Sequence, residues 1–135
     1  MIKLKLNDVV NSEHIFVKIQ NLSKEKELPV SLTYKISKLI KKITPELENF
    51  YEEKLKLLKK YGKEVLNEDK PTGQYQIEDD NMQSFMSDFK ELINMDVELS
   101  GVFPLSLLEL ESVHLSVEET MNFDKFIKPE EELEN

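Results

Sequence analysis

The segment from Ser31 to Gly62, SLTYKISKLIKKITPELENFYEEKLKLLKKYG, carries the clearest structural signal in this chain. Its apolar residues recur every three or four positions, or after seven where Lys54 intervenes, as on one face of an α-helix. Ser31 is a suitable N-cap and Gly62 a suitable stop, so the pattern predicts a helix between them. The apolar stripe consists of Ile36, Leu39, Ile40, Ile43, Leu47, Phe50, Leu57 and Tyr61.

Thr44 and Pro45 interrupt this helical pattern. An unbroken helix of about thirty residues would reach ~45 Å, whereas a compact domain of this size has a radius of gyration of only ~14 Å. Thr44 is a good N-cap and Pro45 a good first helical residue. The sequence therefore predicts a break or kink at this point, or else a helix that protrudes as one arm of a hairpin.

Short alternating segments and weaker helical stripes surround this helix. Apolar and charged residues alternate over residues 2–6 and 96–100, which predicts two strands that pair with each other. A helix is predicted over residues 8–23, capped by Asn7 or Asp8. Residues 63–79 have the composition of a loop, with a short strand at their end.

A third helix is predicted over residues 81–94, with Asp79 or Asp80 as its cap. Its stripe predicts antiparallel packing against residues 46–61 and consists of Met82, Phe85, Met86, Phe89, Leu92 and Ile93. Ser116 and Glu119 form a capping box that starts a last short helix. That helix and the residues after it are expected to bury Met121, Phe126 and Ile127.

These elements predict a mainly α fold with a small β element, of the α+β class. Its centre is a helical hairpin of the long, Pro-kinked helix and the third helix. We expect one domain over residues 1–127, followed by an acidic, frayed tail over residues 128–135.

The composition excludes several classes of site. The chain contains no Cys, so disulfides, thiolate metal sites and cysteine nucleophiles are ruled out. It contains no Arg either, which removes bidentate recognition of phosphate or guanine. No apolar run approaches the ~18 residues of a membrane span, so we expect a cytosolic protein without a membrane partner.

The acidic and basic residues are distributed unevenly. Residues 1–70 hold 15 Lys against 11 acidic residues, a net charge of +4, whereas residues 71–135 hold 3 Lys against 16, a net charge of −13. This division suggests a dipolar molecule or an acidic surface that repels nucleic acid and attracts basic partners. Ordinary solvated faces and a charged tail are the simpler explanation and the one we favour.

No motif indicates catalysis, a cofactor or a metal. His14 and His114 lie in no ligand-spaced pattern, and adjacent acids on a helix do not share a face. The twelve residues 67–78 match a calcium loop at positions one, three and twelve only, since Pro71 and Thr72 replace a ligand and the required glycine. We therefore expect no catalytic, cofactor-binding or metal-binding residues.

Two groups of charged residues are candidates for contacts with a protein partner. Four lysines lie in an acid-free stretch of the long helix: Lys35, Lys38, Lys41 and Lys42. The acidic candidates belong to the second half of the chain: Asp79, Asp80, Asp88, Glu91, Asp96 and Glu98. Direct binding of nucleic acid is not expected, because that function favours more charge, some Arg and interleaved aromatic residues.

Several segments resemble a known group of proteins. They include Leu28-Pro29-Val30, Tyr34 to Leu39, Glu48, Tyr51-Glu52-Glu53, Leu57 to Gly62, Phe89 to Ile93, Asp96 to Leu99, Leu105 to Leu108, Leu115-Ser116 and Phe126-Ile127. In these residues the chain resembles, over nearly its whole length, the small tailed-phage and prophage proteins of domain-of-unknown-function family 1617. The Thr44-Pro45 interruption departs from the family pattern. The resemblance implies a phage gene product and carries over no catalytic residue.

Two functions follow as hypotheses. The first is a non-enzymatic accessory or assembly factor that docks on another phage component, with self-association compatible with that role and with location in the host cytoplasm or the virion. It predicts that an apolar stripe or the strand at 96–99 stays partly exposed. The alternative is an inhibitor of a host nucleic-acid enzyme or defence complex, which uses the acidic residues as a phosphate mimic.

Overall fold

The computed structural model describes residues 1–129, and residues 130–135 lie outside that description. Most of the described residues are helical, so the predicted mainly α class with a small β element is confirmed. In chain order the elements are β1 (Ile2–Lys5), α1 (Leu6–Glu25), α2 (Val30–Tyr61), β2 (Gly62–Asn67), β3 (Lys70–Ile77), α3 (Asp79–Ile93), β4 (Asp96–Leu99), α4 (Leu107–Leu110) and α5 (Val117–Asn122). A 3₁₀ turn over Asp124–Phe126 follows α5.

The N-cap residues of α1, α2 and α3 lie one to three positions before the N-caps that the sequence predicted. Leu6 opens α1, and Asp8 accepts a hydrogen bond from the Lys5 backbone N–H at 2.9 Å from within the first turn. Pro29, and not Ser31, is the N-cap residue of α2. Asp79 and Asp80 lie in the first turn of α3, where negative charge is favourable beside the exposed backbone N–H groups.

The predicted strand pair forms a small antiparallel sheet. Ile2 pairs with Leu99 and Leu4 with Val97, and all four side chains are buried. The lysines between them face outward, since successive side chains alternate between the two faces of a strand. The alternation over these two segments therefore predicted both the pairing and the buried face.

The long helix continues through Pro45, so the predicted break is wrong. Pro45 has no N–H to donate to the Lys41 carbonyl, but both residues are exposed and water can reach that carbonyl. The Thr44 hydroxyl donates to the Ile40 carbonyl at 2.7 Å. The buried residues Ile43 and Leu47 flank the proline, and their packing favours continuation of the helix. At 32 residues, α2 spans ~48 Å.

The segment predicted to be a loop with a short strand at its end is instead a β-hairpin that joins α2 to α3, so only the end of its second strand, β3, was predicted. Strands β2 and β3 pair antiparallel across a two-residue turn, at which Glu68 and Asp69 have φ values of 53° and 64°. Such turns favour Asn-Gly or Asp-Gly, so Glu-Asp gives no sequence signal for one. Pro71 and Gly73 further suggested a loop, although Gly73 in fact serves an irregularity of β3 with its φ of 77°.

Gly62 permits the direct connection between α2 and β2. A Cβ atom at this position would approach the Gln76 and Leu58 carbonyl oxygens to 2.9 Å each. Only a residue without a side chain lets the end of the helix and the opposite strand come this close. Gly62, which was predicted to end the helix, is therefore also the first residue of the hairpin.

The predicted packing of α3 against α2 is confirmed and is antiparallel. Phe85 contacts Tyr61 with ring centroids 6.4 Å apart, while Phe89 contacts Phe50 at 6.1 Å. Phe85 and Phe89 also stack on each other at 5.8 Å. The aromatic residues therefore align the two helices along their shared length.

The main core lies between α1, the first half of α2, the β1–β4 sheet and the segment that follows β4. Phe16 of α1 meets Phe123 at 5.0 Å and Phe126 at 5.2 Å, both in edge-to-face geometry. All three rings are buried, and Leu32 and Leu39 of α2 are fully buried in the same core. These aromatic contacts pack Phe123 and Phe126, near the end of the described chain, against α1.

The predicted capping box at Ser116 is confirmed, but part of the burial predicted after it is wrong. Phe126 is fully buried and Ile127 is half-buried, whereas the Met121 side chain is 72% exposed. Lys128 donates its backbone N–H to the Leu105 carbonyl at 2.7 Å, so the chain stays attached one residue beyond the predicted domain boundary. The remainder of the predicted tail, residues 130–135, lies outside the described residues.

Candidate protein-interaction surface

The chain divides into a compact base and an arm that extends from it. The buried stripe of α2 ends at Phe50, about three turns before the helix does. We define the arm as residues 51–93, which comprise the end of α2, the hairpin and α3, and the base as the other described residues. Phe85 is the one buried side chain among residues 51–93. Much of the arm is therefore accessible to another molecule.

One flank of α3 exposes apolar side chains. Met82 and Met86 are 40% and 53% exposed, and their spacing of four residues places them on the same side of the helix. Phe85 and Phe89 face α2, where their rings contact Tyr61 and Phe50. The stripe of α3 is thus wider than its partner covers, and the two methionines are left beside the contact.

The hairpin adds an exposed strand edge to the arm. Among the described residues, β2 and β3 pair only with each other, so each strand has one unpaired edge. Pro71 and the irregularity at Gly73 disrupt the edge of β3, whereas β2 contains no proline. Val65 and Leu66 of β2 are 38% and 58% exposed. An unpaired edge that carries exposed apolar side chains favours contact with another chain.

The candidate lysines of α2 do not form one available surface. Lys35 is half-buried and its ammonium pairs with the Glu109 carboxylate at 2.9 Å. The Lys38 ammonium lies 5.3 Å from the centre of the Tyr34 ring. Lys41 and Lys42 are exposed and form no ion pair within residues 1–129. Two of the four candidates are therefore already engaged inside the chain.

The candidate acids of β4 lie opposite lysines. The strand register places Asp96 across from Lys5 and Glu98 across from Lys3. Asp96 and Lys5 form an ion pair. Opposite charges on facing strand positions stabilise the sheet and leave little net charge on its outer face.

The candidate acids of α3 divide into one engaged residue and three exposed ones. Asp88 accepts a hydrogen bond from the Tyr61 hydroxyl at 2.5 Å and lies 3.8 Å from the Lys60 ammonium. Asp79, Asp80 and Glu91 are exposed and form no ion pair with a described residue. Of the six acidic candidates, Asp88 and Asp96 are therefore engaged in ion pairs with lysines of the same chain.

The oppositely charged halves of the sequence are partly paired within the fold. Six ion pairs lie within residues 1–129, and five of them join a lysine from residues 1–70 to an acid from residues 71–129. The exception is the local pair of Lys56 with Glu53. The two oppositely charged halves of the sequence therefore meet in the structure.

Two glutamates of the base combine a helix cap with an ion pair. Burial raises the pKa of Glu109, but hydrogen bonds from the Ser106 backbone N–H and the Lys35 ammonium outweigh it and lower the pKa to about 2. At Glu119 the Lys18 ammonium, and then the Ser116 backbone N–H, lower the pKa to about 2. Both carboxylates hold the segment after β4 against the long helices and are structural residues.

Within residues 1–129, no three His, Asp or Glu side chains are placed to share a metal ion. His14 and His114 are both exposed. The polar groups of the arm that do meet, such as Tyr51 with Glu13, form pairs that connect elements.

Sequence reasoning missed the main features of the arm surface. Val65 and Leu66 fell in a segment interpreted as a loop, and Met82 and Met86 were assigned to a packed stripe. The alternation of Lys63, Glu64 and Val65 is too short to indicate a strand. A usable signal for the methionines was the width of the α3 stripe, since one facing helix covers only part of six apolar positions.

Comparison with protein-family models, with curated proteins and with solved structures finds no match to this chain. No helix within residues 1–129 is long and apolar enough to cross a membrane. The resemblance to the phage family thus remains a hypothesis, and function has to be inferred from the base and the arm.

Proposed function

We propose that this protein is a phage-encoded, non-enzymatic interaction factor that docks its arm onto another phage component. The observation that carries the proposal is that both parts of the arm expose apolar side chains, Met82 and Met86 on α3 and Val65 and Leu66 on the hairpin. Methionine side chains are flexible and polarizable and adapt to varied binding partners. The open edge of β2 offers backbone groups for the same contact.

The setting in a phage rests on the resemblance to family 1617, and an assembly or accessory role suits both that setting and the surface. A partner that adds a strand to β2 and covers the methionines would contact both halves of the arm. Self-association through the same surface is compatible with this function. Location in the host cytoplasm or in the virion fits equally.

The alternative function, inhibition of a host nucleic-acid enzyme through a phosphate-mimicking surface, has less support. It needs acidic side chains that are available and aligned. Four of the relevant acids instead face lysines of the same chain: Glu78, Asp88, Asp96 and Glu98. Asp79, Asp80 and Glu91 remain as exposed acids on α3.

The proposal is tested by replacing the exposed methionines and identifying captured partners. The tagged full chain and its Met82→Asp/Met86→Asp variant are expressed in phage-infected cells and purified after nuclease treatment and cross-linking. We expect the wild-type chain to capture a phage structural or assembly protein and the variant to lose it by tenfold or more, since two charges enter an apolar contact.

The matched control introduces the same charges on the base. Val17 and Val30 are 46% and 81% exposed, and the Val17→Asp/Val30→Asp variant should capture the same partner as the wild type. Circular dichroism checks that both variants fold. Capture of a host nuclease, polymerase or defence subunit would instead support the inhibitor. Equal loss of the partner in both variants would show that the arm is not the contact.

A further inference from the structure

The hairpin has one edge that is suited to pairing with another strand. Among residues 1–129, β2 pairs with β3 alone, so its outer edge carries unpaired backbone groups. The outer edge of β3 contains Pro71 and the irregularity at Gly73, which make it a poor template for a further strand. Val65 and Leu66 of β2 are exposed. A strand that extends this sheet therefore joins it at β2.

The turn of the hairpin shows which backbone groups of β2 face this edge. A two-residue turn is closed by a hydrogen-bonded pair, here Asn67 with Lys70. The next pair, Leu66 with Pro71, is therefore not hydrogen-bonded, and Pro71 has no N–H to donate. The N–H and C=O of Leu66 thus point to the outer edge. Those of Glu64 do the same, because backbone groups alternate along a strand.

A second copy of β2 fits this edge in one register. Two identical antiparallel strands related by a two-fold axis meet at a residue that faces itself. Centring the pair on Lys63 or on Glu64 would set like charges directly opposite each other, which is destabilising. Centring it on Leu66 would set Glu64 opposite Glu68. Centring it on Val65 brings no like charges together.

The register centred on Val65 also suits the backbone. It sets Glu64 opposite Leu66 of the other copy, and the outward N–H and C=O groups of these two residues can exchange both hydrogen bonds. Val65 faces itself as a pair without hydrogen bonds. Its carbonyl indeed points toward β3, where it accepts a hydrogen bond from the Thr72 hydroxyl at 2.5 Å.

The charges near the ends of the two strands complement each other in the same register. Lys63 lies opposite Asn67 of the other copy, next to the acidic turn formed by Glu68 and Asp69. Within its own chain the Lys63 ammonium lies 3.7 Å from the Glu78 carboxylate, but the lysine side chain is 86% exposed. Such an exposed ion pair contributes little, so the ammonium can reach the turn of the other copy.

We propose that two copies of the chain pair through β2, so that their hairpins form one four-stranded sheet centred on Val65. A two-stranded hairpin is only marginally stable in water, and two further strands stabilise it. The pairing requires no contact of α3, so Met82 and Met86 are left for the phage component proposed above. A partner that adds a strand to β2 has to displace the second copy. This inference goes beyond the proposed function, since the dimer needs no phage component.

Single cysteines test the register, because the chain has no cysteine of its own. Residues that face each other without hydrogen bonds have Cα atoms ~4.5 Å apart, which a disulfide can bridge. The two copies of Leu66 are diagonal neighbours at about 7–8 Å, which is too far. We expect Val65→Cys to form a covalent dimer on mild oxidation and Leu66→Cys, the matched control, to form at least tenfold less. Equal or faster cross-linking of Leu66→Cys would overturn the register.

Sedimentation equilibrium of the purified full chain measures the association itself. We expect the wild type to dimerise with a dissociation constant of ~100 µM or below. Val65→Lys sets two like charges face to face and should raise this constant tenfold or more. Gln74→Lys adds the same charge at an exposed position of β3 and should dimerise like the wild type. Circular dichroism checks that both variants fold.

The result is read separately from the test of the proposed function. The Met82→Asp/Met86→Asp variant should lose the captured phage component but dimerise like the wild type. A wild-type chain that stays monomeric well above ~100 µM would overturn the dimer and leave partner capture unaffected. Loss of the dimer in the methionine variant, with no change in Val65→Lys, would also overturn it, because the copies would then meet through α3.

Discussion

Glu109 shows how one side chain can fix the position of a whole segment. Its carboxylate accepts the Ser106 backbone N–H at 3.0 Å in a capping box and the Lys35 ammonium at 2.9 Å. The cap orders the short helix α4, and the ion pair attaches that helix to α2. Glu119 repeats the arrangement with Ser116 and Lys18 on α1.

Replacing Glu109 with Gln should separate these two contributions. Gln can keep the capping box but cannot pair with the lysine charge, so we expect the free energy of unfolding at neutral pH to fall by about 1–2 kcal/mol. Glu109→Ala removes both contributions and should cost more. Urea unfolding followed by circular dichroism measures the difference, with Glu111→Gln, an exposed neighbour on the same segment, as the control.

The pH dependence of the same variant supplies a second check. The pKa of Glu109 is about 2 in the folded chain, below its ordinary value of 4.5, so the unfolded chain binds the proton more readily. The stabilisation is therefore complete above the ordinary value and declines as pH falls toward 2. The difference between wild type and Glu109→Gln should shrink over this range, and a constant difference would contradict the assignment.

At the scale of elements, α2 shows that packing can override a local stop signal. Thr44-Pro45 has the chemistry of a helix start, yet the helix continues because Ile43 and Leu47 remain buried on either side. The missing hydrogen bond falls on the exposed face, where water can replace it. Sequence periodicity predicted the stripe, but only the position of the other elements shows that an unbroken stripe can be buried.

Pro45→Ala should therefore stabilise the protein. Alanine restores the N–H donor to the Lys41 carbonyl and removes the clash of the ring, so we expect the free energy of unfolding to rise by about 1–3 kcal/mol. Thermal and urea unfolding measure the change. Glu48→Ala, at an exposed position of the same helix, should change stability by only a few tenths of a kcal/mol. A loss of stability in Pro45→Ala would indicate that the packing depends on the proline.

At the scale of the whole molecule, the base and the arm differ in how much they bury. The base holds nearly the entire buried core, whereas the arm contributes the contacts of Phe85 and Phe89 with α2 and the partly buried Leu92 and Ile93, which pack against that core. Regions with few buried contacts open at lower free energy than the core. The two parts of α2 should therefore differ in stability although they belong to one helix.

Hydrogen exchange should reveal this difference directly. We expect amides of residues 51–61 and of the hairpin to exchange faster than those of residues 36–50, measured by mass spectrometry on the full chain. Phe85→Ala should accelerate exchange in the arm alone. Leu39→Ala, in the centre of the base, should cost about 2–5 kcal/mol and accelerate exchange throughout the base. Uniform exchange along α2 would show that base and arm open together.

The sequence by itself determined the features that depend on local periodicity and local hydrogen bonding. The α2 stripe, the pairing of residues 2–6 with 96–100, the antiparallel contact of α3 and the capping box at Ser116 all follow from which neighbouring side chains share a face. The sequence also determined the charged residues, but it showed them only as an unequal division of net charge between residues 1–70 and residues 71–135.

Only the tertiary structure decided which surfaces stay exposed and which charges meet. Lys35 reaches Glu109 across 74 positions of sequence, and no local pattern encodes such a contact. The hairpin forms although Glu68-Asp69 is a poor turn, because Gly62 lets the strand begin directly at the end of α2. Met82 and Met86 are exposed because one helix cannot cover the full width of the α3 stripe. Burial depends on where distant segments come to lie, which local sequence patterns do not specify.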